Sequence, residues 1–93
     1  MRLKESEVMN IIDSVKSRDR DAKVYLFGSR ADDSKKGGDI DLLVISQKLN
    51  YNDSIKIRQR LHEKLGEQKI HLVITKDAHD PFVKIALAEG VML

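Results

Sequence analysis

One run constrains this chain more than any other: Asp39-Ile40-Asp41-Leu42-Leu43-Val44-Ile45. Its second half is continuously apolar, the pattern of a strand covered on both faces. Its first three residues alternate, so Asp39 and Asp41 point to one side of the strand. With Ser46 closing it, residues 39–46 read as a strand that needs packed layers above and below and carries two carboxylates at its mouth. A chain of 93 residues must supply those layers from a single domain, 1–93.

Periodicity supplies the rest of the architecture. Val8, Ile11, Ile12 and Val15 fall on one stripe of a 3.6-residue period, which predicts a helix over 4–18. Ser17 to Asp21 has no apolar residue and is the exit loop. Residues 23–27 are β-branched, aromatic and aliphatic and predict a buried strand stopped by Gly28-Ser29. Ser29 to Asp32 is expected to form a short helical turn with Ser29 as its cap. A polar connection, with Lys35 and Lys36 in solvent, then ends in Gly37-Gly38. A second helix is expected over 53–65, capped by Asn52 or Asp53, with Ile57, Leu61 and Leu65 inward and Gly66 as its stop. Residues 69–75 form a third strand. Asp80-Pro81 opens a last helix over 81–89, with Phe82, Ile85, Ala86 and Leu87 as its apolar lining. After Gly90, the tail Val91-Met92-Leu93 packs back on the core. The expected fold class is α+β with α/β-type layers: three strands, the helices mainly on one face, in the order helix, strand, turn, strand, helix, strand, helix.

Composition excludes several classes. There is no cysteine, hence no disulfide framework and no thiolate zinc site. Seventeen Lys+Arg against fifteen Asp+Glu give +2, short of the concentrated field of a dedicated nucleic-acid binder. The four aromatic residues offer no stacking platform for single strands, so direct nucleic-acid binding is not expected. The basic side of residues 56–64 reads as a wetted helix face. No apolar run approaches the ~20 residues of a membrane span, and residues 1–20 lack the apolar core of a signal peptide. The expected location is the cytoplasm.

The chemistry concentrates in Phe27-Gly28-Ser29 and Asp39-Ile40-Asp41. Taken singly, a Gly-Ser at a strand end is a plain turn, and an Asp-x-Asp is a solvated strand mouth. Together they are complementary. Glycine lets backbone approach a phosphate closely, and the Ser29 hydroxyl and the N–H groups of the turn can donate to phosphate oxygens. Paired carboxylates supply the hard oxygen ligands that Mg²⁺ prefers, with substrate phosphates completing its shell. Arg30 either reaches a phosphate or pairs with Asp32 or Asp33.

Leu26-Phe27-Gly28-Ser29-Arg30-Ala31 with Asp39-Ile40-Asp41-Leu42-Leu43-Val44 resembles the minimal nucleotidyltransferase family, small members of the superfamily that includes DNA polymerase beta. The resemblance spans most of the chain, and Asp80 to Val91 is similar to the family's usual end. It implies a three-stranded mixed sheet. It implies that Gly28, Ser29 and Arg30 bind nucleotide, that Asp39 and Asp41 hold Mg²⁺, and that a nucleoside monophosphate, AMP from ATP, moves to an acceptor hydroxyl. It further implies a HEPN-type protein as partner, with the nucleotidyltransferase as antitoxin, or self-association of this short domain. One departure stands out. The family's third carboxylate is matched here by His71, which can accept a proton but is a poor magnesium ligand. Two readings stay open: an enzyme that uses His71 as a catalytic residue, and an impaired nucleotide-binding module that neutralises a partner by contact. His71 is also readable as a core histidine.

Overall fold

The computed structural model describes residues 1–35 and 38–93; Lys36 and Gly37 of the expected connection lie outside the described residues. The chain forms helix α1 (Glu5–Lys16), strand β1 (Lys23–Phe27), a 3-10 turn (Gly28–Ala31), strand β2 (Ile40–Ile45), helix α2 (Tyr51–Leu65), strand β3 (Ile70–Thr75), helix α3 (Pro81–Glu89) and strand β4 (Val91–Met92). The expected elements are all present.

The sheet has four strands in the order β3-β2-β1-β4, one more than the three expected. The extra strand is the apolar tail. It runs antiparallel to β1 with Leu26 opposite Val91, and Leu93 N–H donates to the Val24 carbonyl at 2.9 Å. β1 and β2 are antiparallel, and β2 and β3 are parallel, so the sheet is mixed. The parallel pair is joined through α2, as a crossover requires.

β2 divides its side chains between two layers. Ile40, Leu42 and Val44 are fully buried with Val24, Leu26, Ile11 and Val15 of α1, and Ile57 and Leu61 of α2. Leu43 faces the opposite way, with Phe27, Val83 and Ala86. α3 therefore covers the second face, and the apolar run in β2 is sandwiched as its composition demands. α3 itself differs from expectation. Val83 and Ala86 are its buried positions, Leu87 is half-buried, and Ile85 is 60% exposed.

α2 starts earlier than expected. Its cap is Asn50: the Asn50 side chain accepts from Asp53 N–H at 2.9 Å, and the Asp53 carboxylate accepts from Asn50 N–H at 3.0 Å. This reciprocal pair closes the first turn. Asp53 is thus the third helical residue rather than the cap, and it also holds Arg18 at 2.7 Å. On the basic side of the helix, Arg58 donates to the Leu72 carbonyl at 3.1 Å. Among the described residues, no helix is long and apolar enough to cross a membrane.

Candidate functional site

The end of β1, the 28–31 turn and the start of β2 meet at one spot. Phe27 pairs with Asp41, and Asp41 pairs with His71 across the parallel ladder. The three side chains form one row on the α3 face. The chain then turns at Gly28, whose φ of 70° is left-handed and strained for any residue with a Cβ. The Asp41 carboxylate lies against its Cα: a methyl group there would stand 2.2 Å from Asp41 Oδ2. Ser29 is partly buried within the turn, which has Phe27 rather than Ser29 in the cap position. Its Oγ is seated on Gly38, where an added methyl would come within 1.9 Å. The turn is thereby closed onto the residue that precedes Asp39.

Arg30 holds this closure. Its Nε donates to the Gly38 carbonyl, its Nη1 to the Arg2 carbonyl and its Nη2 to Gln68 Oε1, each at 3.3 Å. Arg2 answers with N–H to the Arg30 carbonyl at 2.7 Å and Nη2 to the Ser29 carbonyl at 3.2 Å. Gln68 is fixed in turn by donating to Glu7 at 2.9 Å. That hydrogen bond, with one from the Lys4 backbone, holds the Glu7 carboxyl below its ordinary range. Of the two alternatives for Arg30, the pairing with Asp32 or Asp33 is not formed; its planar fork donates to three acceptors of the scaffold, Gly38, Arg2 and Gln68. Arg2, Gln68 and Glu7 escape sequence reasoning because they come from distant segments with no shared motif.

Asp39 is exposed and precedes β2, whose first N–H, at Ile40, bonds the Lys69 carbonyl at 2.9 Å. Ile40 is fully buried toward α1 and α2, which leaves Asp41 on the other face, partly buried. His71 Nδ1 lies 3.4 Å from Asp41 Oδ1, with the His71 side chain 58% exposed. Burial pushes the Asp41 carboxyl above its ordinary value; His71 opposes that shift, and the charge of Asp39 adds to it. Asp39 and His71 also line an open cleft of about 490 Å³ with His62, Gln68 and Lys69. His62, which has no motif spacing to His71, is brought there by the α2–β3 crossover. His79 stays apart, 3.5 Å from Asp77.

A divalent cation fits this chemistry only with help from a ligand. Among the described residues, no three carboxylates or imidazoles converge as a ready-made cage. Asp39 and Asp41 offer hard oxygen donors, and the desolvated Asp41 gains from a positive charge beside it. The remaining ligands must be water and phosphate oxygens, which is the usual shell of Mg²⁺. The residues fit magnesium carried in on a polyphosphate.

The site is walled by aromatic rings. Phe27 packs edge-on against His71, with centroids 6.3 Å apart, and against Phe82 of α3, 5.8 Å apart.

The family model for Polymerase beta, Nucleotidyltransferase matches residues 9–93. No curated protein matches the sequence. Among solved structures, a chain of the mutant toxin–antitoxin complex MntA–HpeT is similar at a TM-score of 0.73 and 22% identity, over 98% of this chain and 72% of that one. A chain from the complex of tri-AMPylated Shewanella oneidensis HEPN toxin with MNT antitoxin is similar at a TM-score of 0.66 and 21% identity, over 92% and 70% respectively. Both likenesses are in the fold.

Proposed function

We propose that this chain, which belongs to the polymerase beta nucleotidyltransferase family, transfers AMP from ATP, with Mg²⁺, to a hydroxyl group of a HEPN-type partner protein and so acts as an antitoxin. The observation that carries the reading is the seat of the Asp41 carboxylate on the Gly28 Cα. It joins a turn able to take phosphate and a strand able to take a cation at one point. The HEPN partner and the AMP group rest on the neighbouring complex, in which a HEPN toxin is AMPylated and bound to an MNT antitoxin.

Each residue then has a task. Gly28 lets the turn carry a phosphate beside the Asp41 carboxylate seated on its Cα, and Ser29 Oγ with the N–H groups of the turn donates to the phosphate oxygens. Asp39 and Asp41 would hold the cation, which would supply positive charge against the phosphate oxygens. Arg30 keeps the turn closed on Gly38. The acceptor oxygen forms a bond to the α-phosphorus as the bond to pyrophosphate breaks. His71, whose Nδ1 faces Asp41, leaves Nε2 to take the hydroxyl proton.

One feature supports a second reading. An imidazole beside Asp41 is a weaker magnesium ligand than a third carboxylate, which favours a nucleotide-binding module that acts on its partner by contact. Two measurements test the site and then separate the readings. Mg²⁺ with ATP at 100 times its Kd stabilises the native state by about 2.7 kcal/mol, a rise in Tm of roughly ten degrees or more for a domain this size. The double change Asp39→Asn, Asp41→Asn is expected to abolish that rise. An undiminished rise in the double variant overturns the site. With α-labelled ATP and a co-expressed HEPN-domain protein, label on that protein establishes the transferase, and binding without label establishes the module.

A further inference from the structure

α3 leaves its largest side chain half in water. Phe82 is 46% exposed although it follows Pro81 at the very start of the helix. Val83 and Ala86 are the α3 residues buried against Phe27 and Leu43, while Phe82 contributes only an edge contact. Its position is nevertheless well defined. Asp80 Oδ1 accepts from Phe82 N–H at 2.8 Å, and the ring meets Phe27 edge-on at an interplanar angle of 82°. Phe27 is only 8% exposed and also meets the His71 ring at an interplanar angle of 61°. Phe27 thus links the head of α3 to the His71 that faces Asp41. The middle ring is sealed and the two outer rings are open to solvent.

We infer that the exposed ring of Phe82, backed by Phe27, is the surface on which the nucleobase of the nucleoside triphosphate lies. This inference rests on the proposed function, in which the phosphates of the same molecule are held at Gly28 and Ser29. α3 contacts both β1 and the 28–31 turn, so this surface borders the phosphate end rather than a remote face. A flat aromatic ring is the part of a nucleotide that gains from such a surface, since stacking of one base on an aromatic side chain contributes about 1–3 kcal/mol. Phe82 and Phe27 present no donor or acceptor to the edge of a base. Recognition by ring area alone makes the site tolerant of base identity, and purines, with the larger ring system, bind more tightly than pyrimidines.

Calorimetric titration with Mg²⁺ present, comparing ATP, CTP and inorganic triphosphate, tests this on the wild type, Phe82→Leu and Phe82→Tyr. Wild type is expected to bind ATP more tightly than CTP, and both more tightly than triphosphate. Phe82→Leu keeps an apolar contact to Phe27 and is expected to melt within a few degrees of wild type. It should lose about tenfold or more in ATP affinity with triphosphate affinity unchanged, and Phe82→Tyr should retain ATP binding. Equal wild-type affinities for ATP and triphosphate overturn the base surface and leave the phosphate site standing. Equal losses for ATP and triphosphate in Phe82→Leu, or no loss for either, overturn it as well. Failure of the wild type to bind either ligand with Mg²⁺ overturns the nucleotidyltransferase reading, and the base surface with it.

Discussion

The two ends of β2 each carry a carboxylate removed from free solvent, and they are treated in opposite ways. Beyond its C-terminal end, Asp19 is buried and fully supplied. It accepts from the Ser46 hydroxyl and from Asp21 N–H, with Lys48 Nζ at 3.9 Å. Ser46 Oγ in turn accepts from the N–H groups of Lys48 and Leu49. The hydrogen bond from Ser46, followed by that from Asp21, holds Asp19 below the usual carboxylate range despite its burial. At the N-terminal end, Asp41 has a glycine Cα on one side and an exposed imidazole on the other, and burial pushes its pKa up. A buried charge given its own donors is scaffold, because removing it leaves those donors unpaired. A partly buried charge with only one long contact, to His71, is under tension that a nearby positive charge can relieve. Burial alone does not separate the two; the donor count does.

The largest expected effect lies at the scaffold end. Asp19→Ala strands the Ser46 hydroxyl and the Asp21 N–H, at a cost of about 1.5–3 kcal/mol. For a domain of this size each kcal/mol is worth about 4–8 °C in Tm. The milder change Asp19→Asn adds a pH signature. The folded-state pKa of Asp19 lies below its unfolded value near 4. The stabilisation is therefore complete above that value and is lost as the pH falls through the folded pKa. Melting curves of wild type and Asp19→Asn should be separated at pH 7 and converge as the pH drops below about 4. A gap that persists unchanged at pH 2 would show that shape, not charge, is what Asp19 contributes.

Next comes Gly28, at the Asp41 end. Gly28→Ala forces an L-residue into a left-handed conformation, at about 1–2 kcal/mol, and drives a methyl into Asp41 Oδ2. Gly66 is the control, since it has φ 76° and nothing within 4 Å of an added Cβ. Both substitutions are expected to lower Tm, Gly28→Ala by more because of the added contact with Asp41, while only Gly28→Ala removes the rise produced by Mg²⁺ with ATP. If Gly66→Ala also removes that rise, general loosening rather than displacement of Asp41 is the cause.

How much of this was legible in the sequence follows physical lines. β2 and its two carboxylates stood out because alternation followed by an apolar run has few other meanings. The same alternation, together with the strand pairing that the family resemblance implied, put His71 on the row of Asp41. The start of α2 was hidden because Tyr51, 78% exposed, and Asn52 give no apolar period; the signal was the Asn50-x-x-Asp53 pair. In α3, the stretch Phe82-Val83-Lys84-Ile85-Ala86-Leu87 has one polar residue, so periodicity could not fix which stripe faces inward. β4 is two residues long, and its pairing with β1 is a non-local event that composition does not encode. Arg30 lies in the motif, but what it holds depends on Arg2 and Gln68 arriving from elsewhere in the chain.

The smallest expected effect carries the opposite sign. Asp41→Asn keeps the shape that packs on Gly28 while removing a charge that burial and Asp39 both disfavour. It gives up an attraction to His71, but that ring is 58% exposed, and an ion pair so open to water contributes little. The balance favours the variant, which should be as stable as wild type or more stable by about 0.5–1 kcal/mol when no ligand is bound. Urea unfolding at pH 7 reads this as a midpoint that holds or rises at constant m-value. The same variant should respond less to Mg²⁺ with ATP, so stability and ligand response move apart. Were Asp41→Asn to lose 1 kcal/mol or more, Asp41 would join Asp19 as a scaffold carboxylate, and the contrast between the two ends of β2 would collapse.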